Sequence, residues 1–223
     1  NKYSIYFDSN SGSGTTNKVD AIYDVDAILT SNAFSKVGYT FNGWNTKADG
    51  SGTSYTDGQT VKNLLSANGG SLTLYAQWKA NTNTKYTVNI SFEGNSLENI
   101  SYQDEGTSDS TITLELLDYT GYITPENVQV YVKADGSATI DVIYERQSYK
   151  VTFTATNPET SEAIASSEID VKYEGSITFP SSYNVKNYSL VWKYNGEVVN
   201  ADTKVTGNMT LVAEYTRIEK TIV

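Results

Sequence analysis

The side chains in this sequence best suited to chemistry are aromatic and carboxylic rather than nucleophilic. Its 223 residues contain no His and no Cys. That removes Cys-His and Ser-His-Asp nucleophilic machinery, zinc fingers and imidazole metal sites. Two aromatic groupings stand out. GYTFNGW holds Tyr39, Phe41 and Trp44, and NYSLVWKY holds Tyr188, Trp192 and Tyr194. Clustered rings either form the core of a small domain, where one Trp is a large share of the apolar content, or lie exposed as a platform for sugar rings. For Tyr39, Phe41, Trp44 and the later Trp78, the core reading is preferred. Tyr188, Trp192 and Tyr194 are the candidate ligand-binding residues, because their segment departs from the repeat pattern set out below and holds the three close together.

The carboxylates suggest less. A pair could run glycoside hydrolysis, but 26 acidic residues spread over small repeats offer no cleft to hold one. No catalytic residue is assigned, and neither a cofactor nor a metal is expected. The polar run Asn45–Asp57 fails as an EF-hand loop. Lys47 takes the third position, and Thr56 stands where the bidentate Glu belongs. A looser site using Asp49 and Asp57 stays open beside the default of a hairpin-type loop. The two GSG stretches, Gly12–Gly14 and Gly50–Gly52, lack the third Gly and the Lys-Ser/Thr of a phosphate loop and read as turns. A Lys–Asn or Lys–Asp isopeptide cross-link would need a buried Lys, which sequence does not reveal.

Formal net charge is −10, and the sixteen basic residues form no patch. Nucleic-acid binding is therefore disfavoured, and the negative charge serves solubility and self-avoidance. No apolar run is long enough to span a bilayer, so no membrane insertion is expected within these residues. The initial Asn1 suggests a processed product or an excised fragment.

The elements that position these groups are repeated. KYSIYF (Lys2–Phe7), KYTVNISF (Lys85–Phe92) and SYKVTF (Ser148–Phe153) alternate apolar and polar residues, as half-buried strands do. SLTLYAQW (Ser71–Trp78), SATIDVIY (Ser137–Tyr144) and NMTLVAEY (Asn208–Tyr215) alternate likewise. Their inward sets are Leu72, Leu74, Ala76, Trp78; Ala138, Ile140, Val142, Tyr144; and Met209, Leu211, Ala213, Tyr215. Pairing each opening with a closing strand gives three domains, 1–80, 81–147 and 148–223. A unit of this size has a radius of gyration of roughly 10–11 Å, and three in line make a rod on the order of 100 Å. Thr60–Ala67 reads as a two-turn helix, with Asp57 near its start and Gly69 just past its end, and Ala27–Phe34 as a poorer one. Ser189–Tyr194 before Asn195-Gly196 reads as a hairpin. Gly38 and Asn187, each before a Tyr, fit a backbone needing positive φ.

The first segment resembles a known family. GYTFNGWNTKADGSGTSYTDGQTV followed by LTLYAQW is similar to the Listeria–Bacteroides repeat, the B-repeat type of module of internalin-like proteins. The matching residues are Gly38, Tyr39, Phe41, Gly43, Trp44, Gly52, Tyr55, Leu74, Tyr75, Ala76 and Trp78, within residues 1–79. The third segment, with NYSLVW and TLVAEY, resembles a degenerate copy. The second keeps Gly121-Tyr122 and its end strands and resembles mucin-binding-protein-like repeats. The resemblance implies small β-grasp-like domains, a sheet wrapped over a short helix, in an extracellular wall-attached or secreted bacterial protein. It supplies no catalytic residues.

The expected fold is mostly β, three tandem small β-grasp-like domains in an extended arrangement. The expected function is a monomeric, non-catalytic stalk of an adhesin that presents a recognition domain. Two alternatives remain open: a module binding host glycan, mucin or a host surface protein, and an accessory domain of a secreted enzyme.

Overall fold

The computed structural model describes residues 1–95 and 97–219. It is nearly all β. Helical turns among the described residues are confined to the short 3-10 segments Glu93–Asn95 and Ser181–Tyr183. Two compact units divide the chain. One comprises Asn1–Asn89, Ile100–Leu114 and Asn127–Val142; the other comprises Ile90–Asn99, Glu115–Glu126 and Ile143–Val223. The middle sequence repeat is thus shared between them.

The first unit opens with β1 (Lys2–Asp8), β2 (Val19–Ile22), β3 (Ala27–Ile28), β4 (Tyr39–Asn45), β5 (Ser54–Tyr55), β6 (Thr60–Val61) and β7 (Gly70–Ala80). Five of these form a sheet in the order β2-β1-β7-β4-β5. Its centre is a parallel pair, β1 and β7, with Ile5 opposite Leu72 and Phe7 opposite Leu74. Alternation puts one face inward: Tyr3, Ile5, Leu74 and Ala76 are buried, with Trp44 fully enclosed among them. A bulge in β4 lies between Phe41 and Trp44, where Gly43 takes φ 113°. The extra residue lets both rings face the core on either side of the bulge, their centroids 4.8 Å apart.

No helix forms over Thr60–Ala67. Asn63 stands in its middle with φ 57°, a left-handed conformation that ends helical hydrogen bonding. Its side chain instead accepts the Asp24 amide at 2.6 Å, and the Leu64 amide donates to the Tyr3 hydroxyl. Ala27–Phe34 is not helical either. It contributes β3, paired with β6, and then the buried Leu29. Both connections are therefore non-helical, and they bury Leu29 and Val61 where two helices were expected.

The middle repeat supplies β8 (Thr84–Phe92), β9 (Ile100–Gly106), β10 (Ser110–Thr113), β11 (Tyr122–Ile123), β12 (Gln129–Val132) and β13 (Ala138–Arg146). They make a four-stranded sheet, β11-β13-β8-β9, and the pair β10-β12.

The second unit ends with β14 (Ser148–Thr156), β15 (Ala163–Lys172), β16 (Tyr188–Tyr194), β17 (Glu197–Val199) and β18 (Met209–Arg217). Their order, β15-β14-β18-β16-β17, reproduces that of the first sheet, again with a parallel central pair. Trp192 lies opposite Ala213 as Trp44 lies opposite Ala76. The Asn195-Gly196 hairpin is present, with φ 49° and 89° as a two-residue primed turn requires.

Candidate functional site

The aromatic candidates of the third repeat are not equivalent. Trp192 is only 5% exposed. Its ring sits 5.0 Å from Phe153 and 5.1 Å from Tyr183, both edge-on. The ring is therefore part of the core, on the inward face of β16, and it also helps to line a groove. Tyr194 is half-buried against the same core, and Tyr188 is half-buried with its ring 6.4 Å from that of Tyr215. Beside Trp192 lies an open groove of about 470 Å³ whose walls include Phe179, Pro180 and Val198. In the first repeat, Trp44 is fully buried, which is the core alternative.

The Asn45–Asp57 loop organises itself around an amide rather than a cation. Asn45, 1% exposed, donates through Nδ2 to the Gly50 and Gly52 carbonyls and to Ser54 Oγ. Its Oδ1 accepts the Lys47 and Gly52 amides. Asp49 accepts from its neighbour Ser51, which lowers its pKa, while Asp57 accepts the Asn32 amide. The two carboxylates serve separate turns. The buried polar residues among those described are Asn45, Thr84 and Ser108, so no Lys has the burial that an isopeptide bond requires.

The most elaborate polar constructions lie where one repeat meets the next, and sequence reasoning missed them. Within the first unit, Gly38 takes φ 74° and its carbonyl accepts the Asn81 amide at 2.9 Å. The Asn81 carbonyl accepts the Ser108 amide at 2.9 Å, and the Asp109 amide reaches the Val132 carbonyl at 2.7 Å. Asp109, itself at φ 56°, accepts the Tyr39 hydroxyl at 2.8 Å and the Tyr131 hydroxyl at 3.1 Å. The Tyr39 bond, aided by that from Tyr131 and the Ala134 amide, holds the Asp109 carboxyl below the usual carboxylate range. The same carboxylate pushes the Tyr39 phenol up. Lys36 lies 4.3 Å over the Tyr39 ring.

Within the second unit the same backbone pattern recurs. Gly121 takes φ 81° and accepts the Gln147 amide at 2.8 Å. The Gln147 carbonyl accepts the Tyr173 amide at 2.8 Å, and the Glu174 amide reaches the Val205 carbonyl at 2.7 Å. Glu174 takes φ 56°, as Asp109 does. Here the side chains differ. Arg146 donates through Nη1 to the Tyr173 carbonyl at 3.0 Å, its guanidinium lying against Gly94. Glu93 accepts the Arg146 amide at 2.7 Å and the Lys172 ammonium at 3.2 Å, bonds that lower its pKa. Both glycines are close approaches as well as turns. A Cβ on Gly38 would meet Ala134 Cβ at 2.6 Å, and one on Gly121 would meet the Tyr173 ring at 2.3 Å.

Comparison with known proteins follows this geometry. Residues 3–77 match the family model of the Listeria-Bacteroides repeat domain. The chain is 28% identical over 250 aligned residues to a protein of Evansella cellulosilytica named "Putative Gly-rich membrane protein". That alignment covers 96% of this chain and 25% of the relative. A second protein of that organism, named "Putative membrane protein", is 37% identical over 84 residues, covering 36% of this chain and 12% of its own length. The chain thus spans a quarter or less of the curated relatives it matches. No helix among the described residues is long and apolar enough to cross a membrane.

Proposed function

We propose that this chain is a non-catalytic tandem-repeat segment of an extracellular bacterial surface protein, a stalk or spacer that presents a recognition domain located elsewhere. One observation carries this reading: two successive junctions use the same backbone hydrogen bonds although their side chains differ. Each junction fixes a repeat to its neighbour through main-chain groups and a glycine that admits no side chain. That is the construction a spacer needs, because stiffness resides in its joints. The repeat-family match and the much greater length of the relatives support it.

On this reading the domains are 1–80, 81–147 and 148–223. The first and third are taken as β-grasp-like, a reading supported by their shared strand order; the connection is extended in the first and carries the 3-10 turn Ser181–Tyr183 in the third. The segment is monomeric and acts through spacing and through solubility conferred by its charge.

A second reading, a module binding glycan, mucin or a host protein, is favoured by one feature, the open groove that Trp192 helps to line, with Tyr188 and Tyr194 half-exposed on the same strand β16. A glycan and mucin screen of the whole chain separates the two. The spacer reading expects no specific binding. Binding that vanishes in folded Tyr188→Ala or Tyr194→Ala variants would replace it with the recognition reading.

A further inference from the structure

All three repeats end alike. The left-handed residues Gly38, Gly121 and Asn187 (φ 74°, 81° and 65°) each precede a Tyr. Tyr39, Tyr122 and Tyr188 pair with Ala80, Arg146 and Arg217, the last residues of their closing strands. The next amides, of Asn81, Gln147 and Ile218, return to the left-handed carbonyls at 2.9, 2.8 and 2.8 Å. At the first two ends, a turn with a left-handed acidic residue, Asp109 or Glu174, is seated.

The first repeat carries the same inserting turn. Asp24 takes φ 66°, and the preceding Tyr23 amide donates to the Asn1 carbonyl at 2.8 Å, as Ser108 does to Asn81 and Tyr173 to Gln147. Asn63 clamps Asp24, accepting its amide at 2.6 Å and donating to its carboxylate at 2.9 Å. Asp24 is exposed. The third repeat carries the matching seat. Asn187, Arg217, Ile218 and Glu219 line an open recess of about 550 Å³, and Arg217 is exposed where its counterpart Arg146 is half-buried.

We propose that the end of the third repeat formed by Asn187, Tyr188, Arg217 and Ile218 is a docking surface for a further repeat of this same kind, which enters with an Asp24-type turn. Arg217 donates to the carbonyl of the residue before the acidic one, as Arg146 does to Tyr173. Asn187 carries a side chain where Gly38 and Gly121 admit none, so the turn seated here stands further off than Tyr173 does from Gly121. The occupant meets it with a clamp of the Asn63 type, two residues past the buried Val61, where the middle repeat has Ala134 two past Val132. This goes beyond the spacer reading, and it holds or fails whatever the array presents.

The test is a tandem of two chains in which Asn1 of the second copy follows Arg217 of the first. Arg217-Asn1-Lys2-Tyr3 then reproduces Arg146-Gln147-Ser148-Tyr149, and the Asn1 amide takes the place of the Ile218 amide, which is all that Ile218 gives the seat. With no native cysteine, spin labels go only where Cys is introduced. One label is placed at exposed Glu162 of the first copy and one at exposed Thr15 of the second. Labels at Thr15 and Thr139 of a single chain calibrate a fixed junction. The expected result is a distance distribution as narrow as the calibration, lost when Arg217→Ala in the first copy is combined with Asp24→Ala in the second. Single chains bearing each substitution must keep their thermal unfolding. A distribution already broad in the unsubstituted tandem overturns the proposal, and so does a narrow one that the two substitutions leave intact.

Discussion

Gly121→Ala tests how the second junction is built. Two costs add there. An L side chain at φ 81° is strained by about 1–2 kcal/mol. The new Cβ would also lie 2.3 Å from Tyr173 Cγ and Cδ1, so the ring or the backbone must move. Overpacking of that kind costs about 1–3 kcal/mol. Gly196→Ala, in the same unit, is the control. Its φ is 89°, but nothing lies within 4 Å of the added Cβ, so it carries strain alone. Several sheets unfold in one chain, and a single unfolding free energy is not well defined for it. Native-state amide exchange is therefore the assay, read at Gln147 and Tyr173 in the junction and at Val151 in the strand core. Together the two costs come to about 2–5 kcal/mol, so Gly121→Ala should speed exchange at Gln147 and Tyr173 by roughly 30- to 5,000-fold beyond any change at Val151. Gly196→Ala should leave those two amides as they were. Equal protection of Gln147 and Tyr173 in both variants would show that Tyr173 is not seated on Gly121, and the junction described here would be wrong.

Other outcomes follow from the same geometry. Trp44→Ala and Trp192→Ala should each cost about 3–5 kcal/mol and unfold their own repeat, seen as lost chemical-shift dispersion there. Trp44→Phe should cost distinctly less, because Trp44 Nε1 is buried without an acceptor among the described residues and Phe removes that group. The Asp109 and Glu93 carboxyls are both depressed in the folded chain, so their contributions are complete above the ordinary carboxylate pKa, about 4, and are lost as pH falls through their lower folded values. Protection at Ser108 and Tyr173, each rate taken against the intrinsic rate at that pH, should therefore fall on acidification below about pH 4, and unchanged protection there would refute the role given to these carboxylates. Burial and Asp104 push the Tyr86 phenol up to about 12. Its contribution should be complete below pH about 10 and disappear as pH rises through the folded value, as read by alkaline unfolding of the first unit.

Much of the strand framework was legible because alternation is a local signal. The expected KYSIYF and SYKVTF openings became β1 and β14, and Leu74, Ala76, Val142, Tyr144 and Leu211 are buried as the alternation requires. Positive φ at Gly38 and Asn187 was legible from residue type, as was the Asn195-Gly196 turn. The helix over Thr60–Ala67 was misread because its apolar spacing suits a helix. What excludes the helix is Asn63, held left-handed by Asp24, thirty-nine positions away. The burial of Trp192 was not legible because exposure depends on what covers a strand, here Phe153 and Tyr183. The junctions were invisible for the same reason. Tyr39 and Asp109 lie seventy positions apart, and nothing around either announces the other.

Fixed joints between successive repeats are what a spacer requires, and native-state amide exchange of the whole chain tests for them. Each unit holds one joint, made by the Asn81 and Ser108 amides in the first and by the Gln147 and Tyr173 amides in the second. The expected result is that these four amides are protected as strongly as the strand amides beside them, at low and high salt alike, since they are main-chain hydrogen bonds rather than screened charges. Unprotected joint amides between protected sheets would contradict the spacer reading, and so would protection that falls as ionic strength rises.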